Sequence, residues 1–272
     1  MTILSIYNRK GGSGKTTTTM QLAGFLRKKY KAKVLLVDAD SQANLTKLLY
    51  LHNETERTGE APNLNGRNTL TTVLTGDCKA NQAIYRVYIK PQSKWRSSFD
   101  IIPVTEELDR IYVKDPLTLR KALEKMAKTR HYDYVLIDCP PALGEITANV
   151  LCASDYTLLP IDPGDEVDTS GLDSVQSFLD GLKASGNAKA DILGFFINKF
   201  MKGDPVQEYN MQQISEVYKK WYIPITLPFH KYVSESRFYG LPLAWLHPRC
   251  QIGKLFEELA TYVNDKTENK EG

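Results

Sequence analysis

The order of apolar and polar positions along the chain predicts an alternation of buried strands and helices. Near the N-terminus, Ile3-Leu4-Ser5-Ile6-Tyr7 is an apolar run of strand length. A helical pattern follows in which Leu22, Phe25 and Leu26 share one face, and Arg27, Lys28 and Lys29 close its C-terminal end. Val34-Leu35-Leu36-Val37 is continuously apolar, as expected of a strand covered on both faces of a parallel sheet. Phe99 to Pro103, Tyr134 to Asp138, Tyr156 to Pro160, Ile192 to Ile197 and Pro224 to Pro228 read as further strands. Helices are predicted over Thr105 to Val113, Leu117 to Lys128 and around Leu172 to Leu182, with weaker helical patterns running up to Tyr85. The polar stretch from about His52 to Asn68, containing Gly59, Pro62 and Gly66, reads as a long surface loop, and the chain after Asn264 as a polar tail. The alternation predicts an α/β fold, a mostly parallel twisted sheet sandwiched by helices, as one domain over residues 1–272.

Composition narrows the class only a little. The net charge is +3, so overall charge does not demand a nucleic-acid partner and local clustering would have to make that case. The cysteines, Cys78, Cys139, Cys152 and Cys250, lie far apart without a CxxC pair and read as reduced, mostly buried thiols of a cytosolic protein. No apolar run approaches the roughly 18 residues of a spanning helix, and the apolar N-terminus is too short for a secretory signal.

The first strand runs into Asn8-Arg9-Lys10-Gly11-Gly12-Ser13-Gly14-Lys15-Thr16-Thr17, and a helix follows. A glycine-rich turn between a strand and a helix lets backbone N–H groups close around anionic oxygens, and the helix start adds its positive dipole end. In such a phosphate loop Lys15 reaches the β- and γ-phosphates of a nucleotide, and the Thr16 hydroxyl holds Mg²⁺. Two later strands end in carboxylates: Val34 to Val37 in Asp38-Ala39-Asp40, and Tyr134 to Ile137 in Asp138. Ligands of open α/β sheets sit at the carboxyl ends of strands, so these aspartates are candidates for the same site. Asp138 is placed to hold the metal, usually through a water; the competing reading is a turn or helix-cap aspartate.

The loop departs from the ordinary phosphate-loop pattern. Arg9 stands where the first glycine is expected, and a second lysine, Lys10, precedes the glycine pair. In this it resembles the deviant Walker A motif of the ParA/MinD ATPases, whose signature lysine crosses a dimer interface to the partner's nucleotide. A solvated loop lysine beside an ordinary ATP site is the alternative. The stretch from Tyr132 to Asp155 resembles the family's second nucleotide motif, and Val37 to Thr46 resembles its DxDPQGN segment, with Ser41 and Ala43 as departures. The resemblance implies that Asp40 orients or deprotonates the attacking water and that Asp38 supports the Mg²⁺ shell; Asp40 as a helix cap remains the alternative. It also places Pro228 at the adenine pocket and Asn198 at a base-reading position, with Tyr232 and Phe238 as packing residues. The run from Ile161 to Glu166 is more acidic than the resemblance leads one to expect.

The resemblance covers Thr2 to about Val263, apart from the loop at 52–68, and is closest to ParA-type partition ATPases. It implies a cytoplasmic, nucleoid-associated ATPase that uses ATP and Mg²⁺ and forms a homodimer around ATP. That dimer binds DNA without sequence preference, and a ParB-like or other adaptor protein stimulates hydrolysis. Lys199, Lys202, Lys219, Lys220, Lys231, Arg237 and Arg249 are the candidate DNA surface, against the reading of a solvated lysine face. Three other classes stay open. A MinD-like switch would bind membranes through the amphipathic C-terminal helix of Ile252, Leu255, Phe256, Leu259 and Val263, although Glu257, Glu258 and Asp265 favour core packing. An iron–sulfur carrier would need cluster cysteines, which the spacing does not offer. A small-molecule ligase would use the loop without Lys10.

Overall fold

In the computed structural model, which describes residues 1–164 and 169–268, the chain folds around one eight-stranded sheet. The strands are β1 (Thr2–Ile6), β2 (Val34–Asp38), β3 (Tyr85–Ile89), β4 (Arg96–Ile102), β5 (Tyr134–Asp138), β6 (Tyr156–Ile161), β7 (Asp191–Phe200) and β8 (Tyr222–Pro228). Their spatial order is β3-β4-β2-β5-β1-β6-β7-β8, and every pair is parallel except the edge pair β3–β4. The fold is the α/β arrangement that the apolar runs imply.

Side chains alternate between two apolar layers, as the pleat requires. Leu35, Val37, Val135 and Ile137 face one layer, and Val34, Leu36, Tyr134 and Leu136 the other. The first layer is covered by α3 (Leu70–Thr75), α4 (Thr118–Ala127), α5 (Glu145–Ala153), α6 (Thr169–Ala184) and α7 (Pro205–Val217). The second is covered by α1 (Lys15–Tyr30), by a π-helical turn (Thr46–Leu51) that runs into α2 (His52–Thr58), and by α9 (Leu243–Leu246) and α10 (Gln251–Glu268). The short α8 (Lys231–Phe238) follows β8. Ser5 is the buried polar residue of β1, and burial makes it pair: its Oγ lies 2.9 Å from Thr157 Oγ1 and donates to the Tyr156 carbonyl at 3.2 Å.

Several expectations are corrected. The stretch at 52–68 is a loop only after Thr58: α2 occupies its first half, with Asn53 Nδ2 bonded to the carbonyls of Leu49 and Gly240. The helix expected over Thr105 to Val113 is a short 3₁₀ turn, Glu106–Arg110. The chain around Tyr85 forms the edge strand β3. The last helix continues past Asn264 to Glu268, because Asn264 Oδ1 and Thr267 Oγ1 both reach the Tyr134 hydroxyl at 3.1 Å. In α10, Ile252, Phe256, Leu259 and Val263 are buried against the sheet and α1, so its apolar face is core. Phe238, expected to pack, is 74% exposed, whereas Tyr232 stacks on His247 with ring centroids 4.0 Å apart. Of the four free cysteines, Cys139 and Cys152 are buried and Cys78 and Cys250 only partly so.

Candidate nucleotide site

The site lies where β1, β5 and β2 end together. Register pairs Ile6 with Asp138 and Asp138 with Asp38, so the glycine loop and both aspartates leave the sheet at one level. The loop is held from below by Asn8, whose Nδ2 donates to the Pro160 carbonyl at 2.7 Å and whose Oδ1 accepts the Lys10 N–H at 2.9 Å. Gly12 and Gly14 take φ of +76° and +98°, the left-handed region that glycine enters without a Cβ penalty. Asn198, at the end of β7, donates from Nδ2 to the Ser13 carbonyl at 2.8 Å. It approaches so closely that a Cβ on Gly14 would lie 2.2 Å from that nitrogen.

Helix α1 opens from this loop with no side-chain cap and no acidic residue in its first turn. Its N–H donors and dipole are therefore left for an anion. Lys15 is buried, and its ammonium donates to the Lys10 carbonyl at 3.2 Å. Burial lowers its pKa, with Asp138, Cys139 and Asp40 opposing the shift. Ser13 Oγ is buried without a hydrogen-bond partner, and nothing lies within 4 Å of a Cβ placed on Gly11. Together these form an open, donor-lined cradle suited to phosphate oxygens.

The three aspartates differ sharply in what they touch. Asp38 is fully buried; its Oδ2 accepts from Thr46 N at 2.7 Å and Thr46 Oγ1 at 2.8 Å, and its Oδ1 accepts from Asp40 N at 3.3 Å. Desolvation pushes its pKa up to about 6 despite those bonds. Asp138 is equally buried, yet neither of its carboxylate oxygens completes a hydrogen bond. Burial first, then Asp38, drives its pKa well up; the Thr16 side chain and Lys15 lie close enough to oppose the shift. Asp40 is half-buried, and its Oδ1 accepts from Gln42 N at 3.0 Å in a tight turn whose Ala43 has φ +54°. It therefore closes a turn and does not cap a helix.

No cluster of three or more histidine, cysteine or acidic side chains among the described residues could hold a metal unaided. The orphaned carboxylate of Asp138 and the half-buried Thr16 beside it fit a cation whose remaining ligands are water and nucleotide oxygens. Asp38, the other candidate for the metal shell, already accepts from three donors, two of them on Thr46. Pro228 ends β8 half-buried, paired in register with Phe200.

The site also contains Asn8 and Thr46, which the sequence pattern does not single out, and Lys199, which it assigns to a DNA surface. Asn8 precedes the glycine loop directly, Thr46 lies eight residues after Asp38, and the Lys199 ammonium lies 3.7 Å from Asp162 Oδ2. Lys199 itself has φ +58°, and its Nζ is 4.0 Å from where a Cβ on Gly12 would stand.

The basic residues of the last third do not form one surface. Lys199 lies at the end of β7 and Lys202 just after it, and Lys231 and Arg237 lie on α8 after β8, at the nucleotide end of the sheet. Lys219 and Lys220 precede β8 at the opposite end, so strand direction separates them, and Arg249 sits between α9 and α10. In the acidic run, Asp162 pairs with Lys199, while Asp165 and Glu166 lie outside the described residues.

The AAA_31 family, described as an AAA domain, matches residues 1–192. The chromosome partitioning protein ParA of Caulobacter vibrioides is 26% identical, over 99% of this chain and 96% of its own length. A ParA family protein of Chlamydia pneumoniae is 30% identical over 68% of this chain and 67% of its own length. The chain belongs to the ParA family. Apo McdA of Cyanothece superposes with a TM-score of 0.80 at 23% identity, covering 97% of this chain and 99% of that one. Cobyrinic acid a,c-diamide synthase of Mycobacterium smegmatis, solved with ADP and magnesium, gives a TM-score of 0.72 at 20% identity, covering 96% and 92%. Both likenesses are under 25% identical and show the fold alone. No helix among the described residues is long and apolar enough to cross a membrane.

Proposed function

We propose that this ParA-type ATPase binds Mg²⁺-ATP, dimerises around it, and in that state binds DNA without sequence preference. Hydrolysis, stimulated by an adaptor protein, ends the dimer, and the cycle partitions a plasmid or chromosome or positions another large cargo. ATP would lie along the loop from Lys10 to Thr17, Gly11, Gly12, Ser13 and Gly14 supplying N–H donors, with Thr17 closing the first turn of α1. Asn198 and Pro228 would line the base end of the site. A bound Mg²⁺ would neutralise phosphate charge; Thr16 and Asp138 are the groups placed to hold it and its waters. Lys15 would turn from the Lys10 carbonyl to the phosphates, and Asp40 would orient the attacking water. Positioning and charge, rather than a strong base, carry phosphoryl transfer.

The observation that carries this reading is the pair of lysines in one loop. Lys15 points inward from α1, whereas Lys10 has both backbone groups pinned, its N–H to Asn8 and its carbonyl to Lys15. A single nucleotide needs one such lysine, so Lys10 is assigned to the nucleotide of the partner subunit. Light scattering of the full chain with ATP and with ADP tests it: an ATP-specific doubling of mass is expected, and a monomer under both conditions refutes it.

A further inference from the structure

A second basic cavity lies at the other end of the sheet from the nucleotide site. It has a volume of about 410 Å³ and opens where β2, β4 and β5 begin. Its walls carry Arg27 and Lys31 from the end of α1, Lys33 before β2, Arg86 on β3 and Arg130 before β5. Asp100 is the one carboxylate among its walls, and that carboxylate is already engaged. Arg86 Nε lies 2.8 Å from its Oδ1, and the Tyr132 hydroxyl donates to its Oδ2 at 2.6 Å. Burial first, and then Asp100, push the Tyr132 pKa up to about 12, so the phenol stays a neutral donor. Just outside, Asp133 is turned away, accepting the Lys33 N–H at 2.7 Å and facing His131 at 3.4 Å.

Arg27 and Lys31 donate to the Lys31 and Lys28 carbonyls at the end of α1, at 3.1 and 3.0 Å, while Lys33 and Arg130 share this cavity with no carboxylate left for them in its walls. Like charges gathered around one concavity repel each other, and an anion placed among them relieves that repulsion. A second feature points the same way. Ser98 lines the cavity with its Oγ buried and without a hydrogen-bond partner, while the neighbouring Ser97 Oγ accepts from Arg86 Nη1 at 2.9 Å. Turned towards the cavity, that hydroxyl would give a tetrahedral oxyanion a donor beside several cations. The volume, roughly a dozen waters' worth, accommodates a diphosphate with residual solvent.

We propose that this cavity binds a phosphate group, as an anion site separate from the nucleotide loop. The group is either a free phosphate compound or a phosphate of a nucleic-acid backbone; both offer the same oxygens to Lys33, Arg130 and Ser98. The site does not depend on the proposed dimer cycle.

The test uses the full chain carrying Lys15→Ala, which silences the phosphate loop, with and without the pair Lys33→Glu and Arg130→Glu. Lys254→Glu, on the exposed side of α10, is the charge control, and thermal melts confirm folding of each variant. Inorganic pyrophosphate is titrated by calorimetry, and a random 20-bp duplex by fluorescence anisotropy over a range of salt. A loss of about tenfold or more in pyrophosphate affinity, confined to the cavity pair, supports the site with a free phosphate as its source. A salt slope reduced by about two, one for each cation replaced, supports it with a backbone phosphate. If neither ligand distinguishes the cavity pair from the control, or neither binds at all, the proposal is overturned.

Discussion

Asp38 and Asp138 are register partners at the ends of adjacent strands, equally buried, yet the first accepts three hydrogen bonds and the second none. The two carboxylates that the sequence treats alike therefore have different surroundings. Asp38 fixes the turn that carries Asp40, and Asp138 is kept unpaired beside Thr16.

The unpaired state of Asp138 has a stability consequence. A buried carboxylate without partners is costly, so Asp138→Asn should raise the melting temperature of the nucleotide-free chain by a few degrees. The same change should abolish Mg²⁺-dependent hydrolysis. Calorimetric melts beside a phosphate-release assay read both, and a variant that melts lower contradicts the idea that the carboxylate is strained.

Asp38 predicts a pH dependence. Its folded pKa of about 6 lies above the ordinary value of 3.8, so the folded state holds the proton more tightly than the unfolded state. The penalty on folding is greatest above about pH 6 and fades as pH falls towards 4. Urea titrations of the nucleotide-free chain between those values should show stability from this group rising as pH falls. Asp38→Asn should flatten that component; an unchanged slope would count against it.

Gly14→Ala tests the loop. The new Cβ would meet Asn198 Nδ2 at 2.2 Å, and φ of +98° is strained for any side chain. The conformational cost alone is about 1–3 kcal/mol. ATP affinity should fall by more than about tenfold. Adding Asn198→Ala should restore only part of it, because the φ strain remains. Full restoration would mean that the clash is the whole effect.

Phe256 tests the placement of the last helix. It is 2% exposed, and Phe256→Ala should destabilise the chain by about 3–5 kcal/mol, as for other buried aromatics. Vesicles with anionic lipid should not bind the wild-type chain in co-sedimentation. Small destabilisation together with vesicle binding lost in the variant would instead mark the helix as a membrane anchor.

The sequence was most legible where backbone and chemistry demand the same residues. The loop from Lys10 to Thr17 and the strand from Tyr134 to Asp138 stand where the pattern puts them, because glycine at positive φ and apolar runs in a covered sheet leave little choice. Edge strand β3 escaped because, with one neighbour and partial exposure, Tyr85 to Ile89 need not be uniformly apolar. Helix α7 was missed although its start carries a clear signal: Asp204 caps Val206 N at 3.0 Å and Gln207 N at 3.2 Å, with Pro205 in the first turn. The supports of the site, Asn8, Thr46 and Asn198, act through contacts between distant segments, which no local pattern records. The basic residues were grouped by sequence proximity, and strand direction then separated Lys199 from Lys219.

In the proposed cycle Lys10 acts on the partner's ATP while Asp40 acts on the water at its own site. Both parts can be read together by light scattering with ATP beside phosphate release, for Lys10→Ala and Asp40→Ala. Lys10→Ala should bind ATP but neither dimerise nor hydrolyse. Asp40→Ala should bind ATP and keep or strengthen the dimer while losing turnover, by a factor on the order of 10³–10⁵ if it acts in the transition state. A Lys10→Ala chain that dimerises and hydrolyses like the wild type would show that Lys10 has no part in the partner's site and would contradict the account.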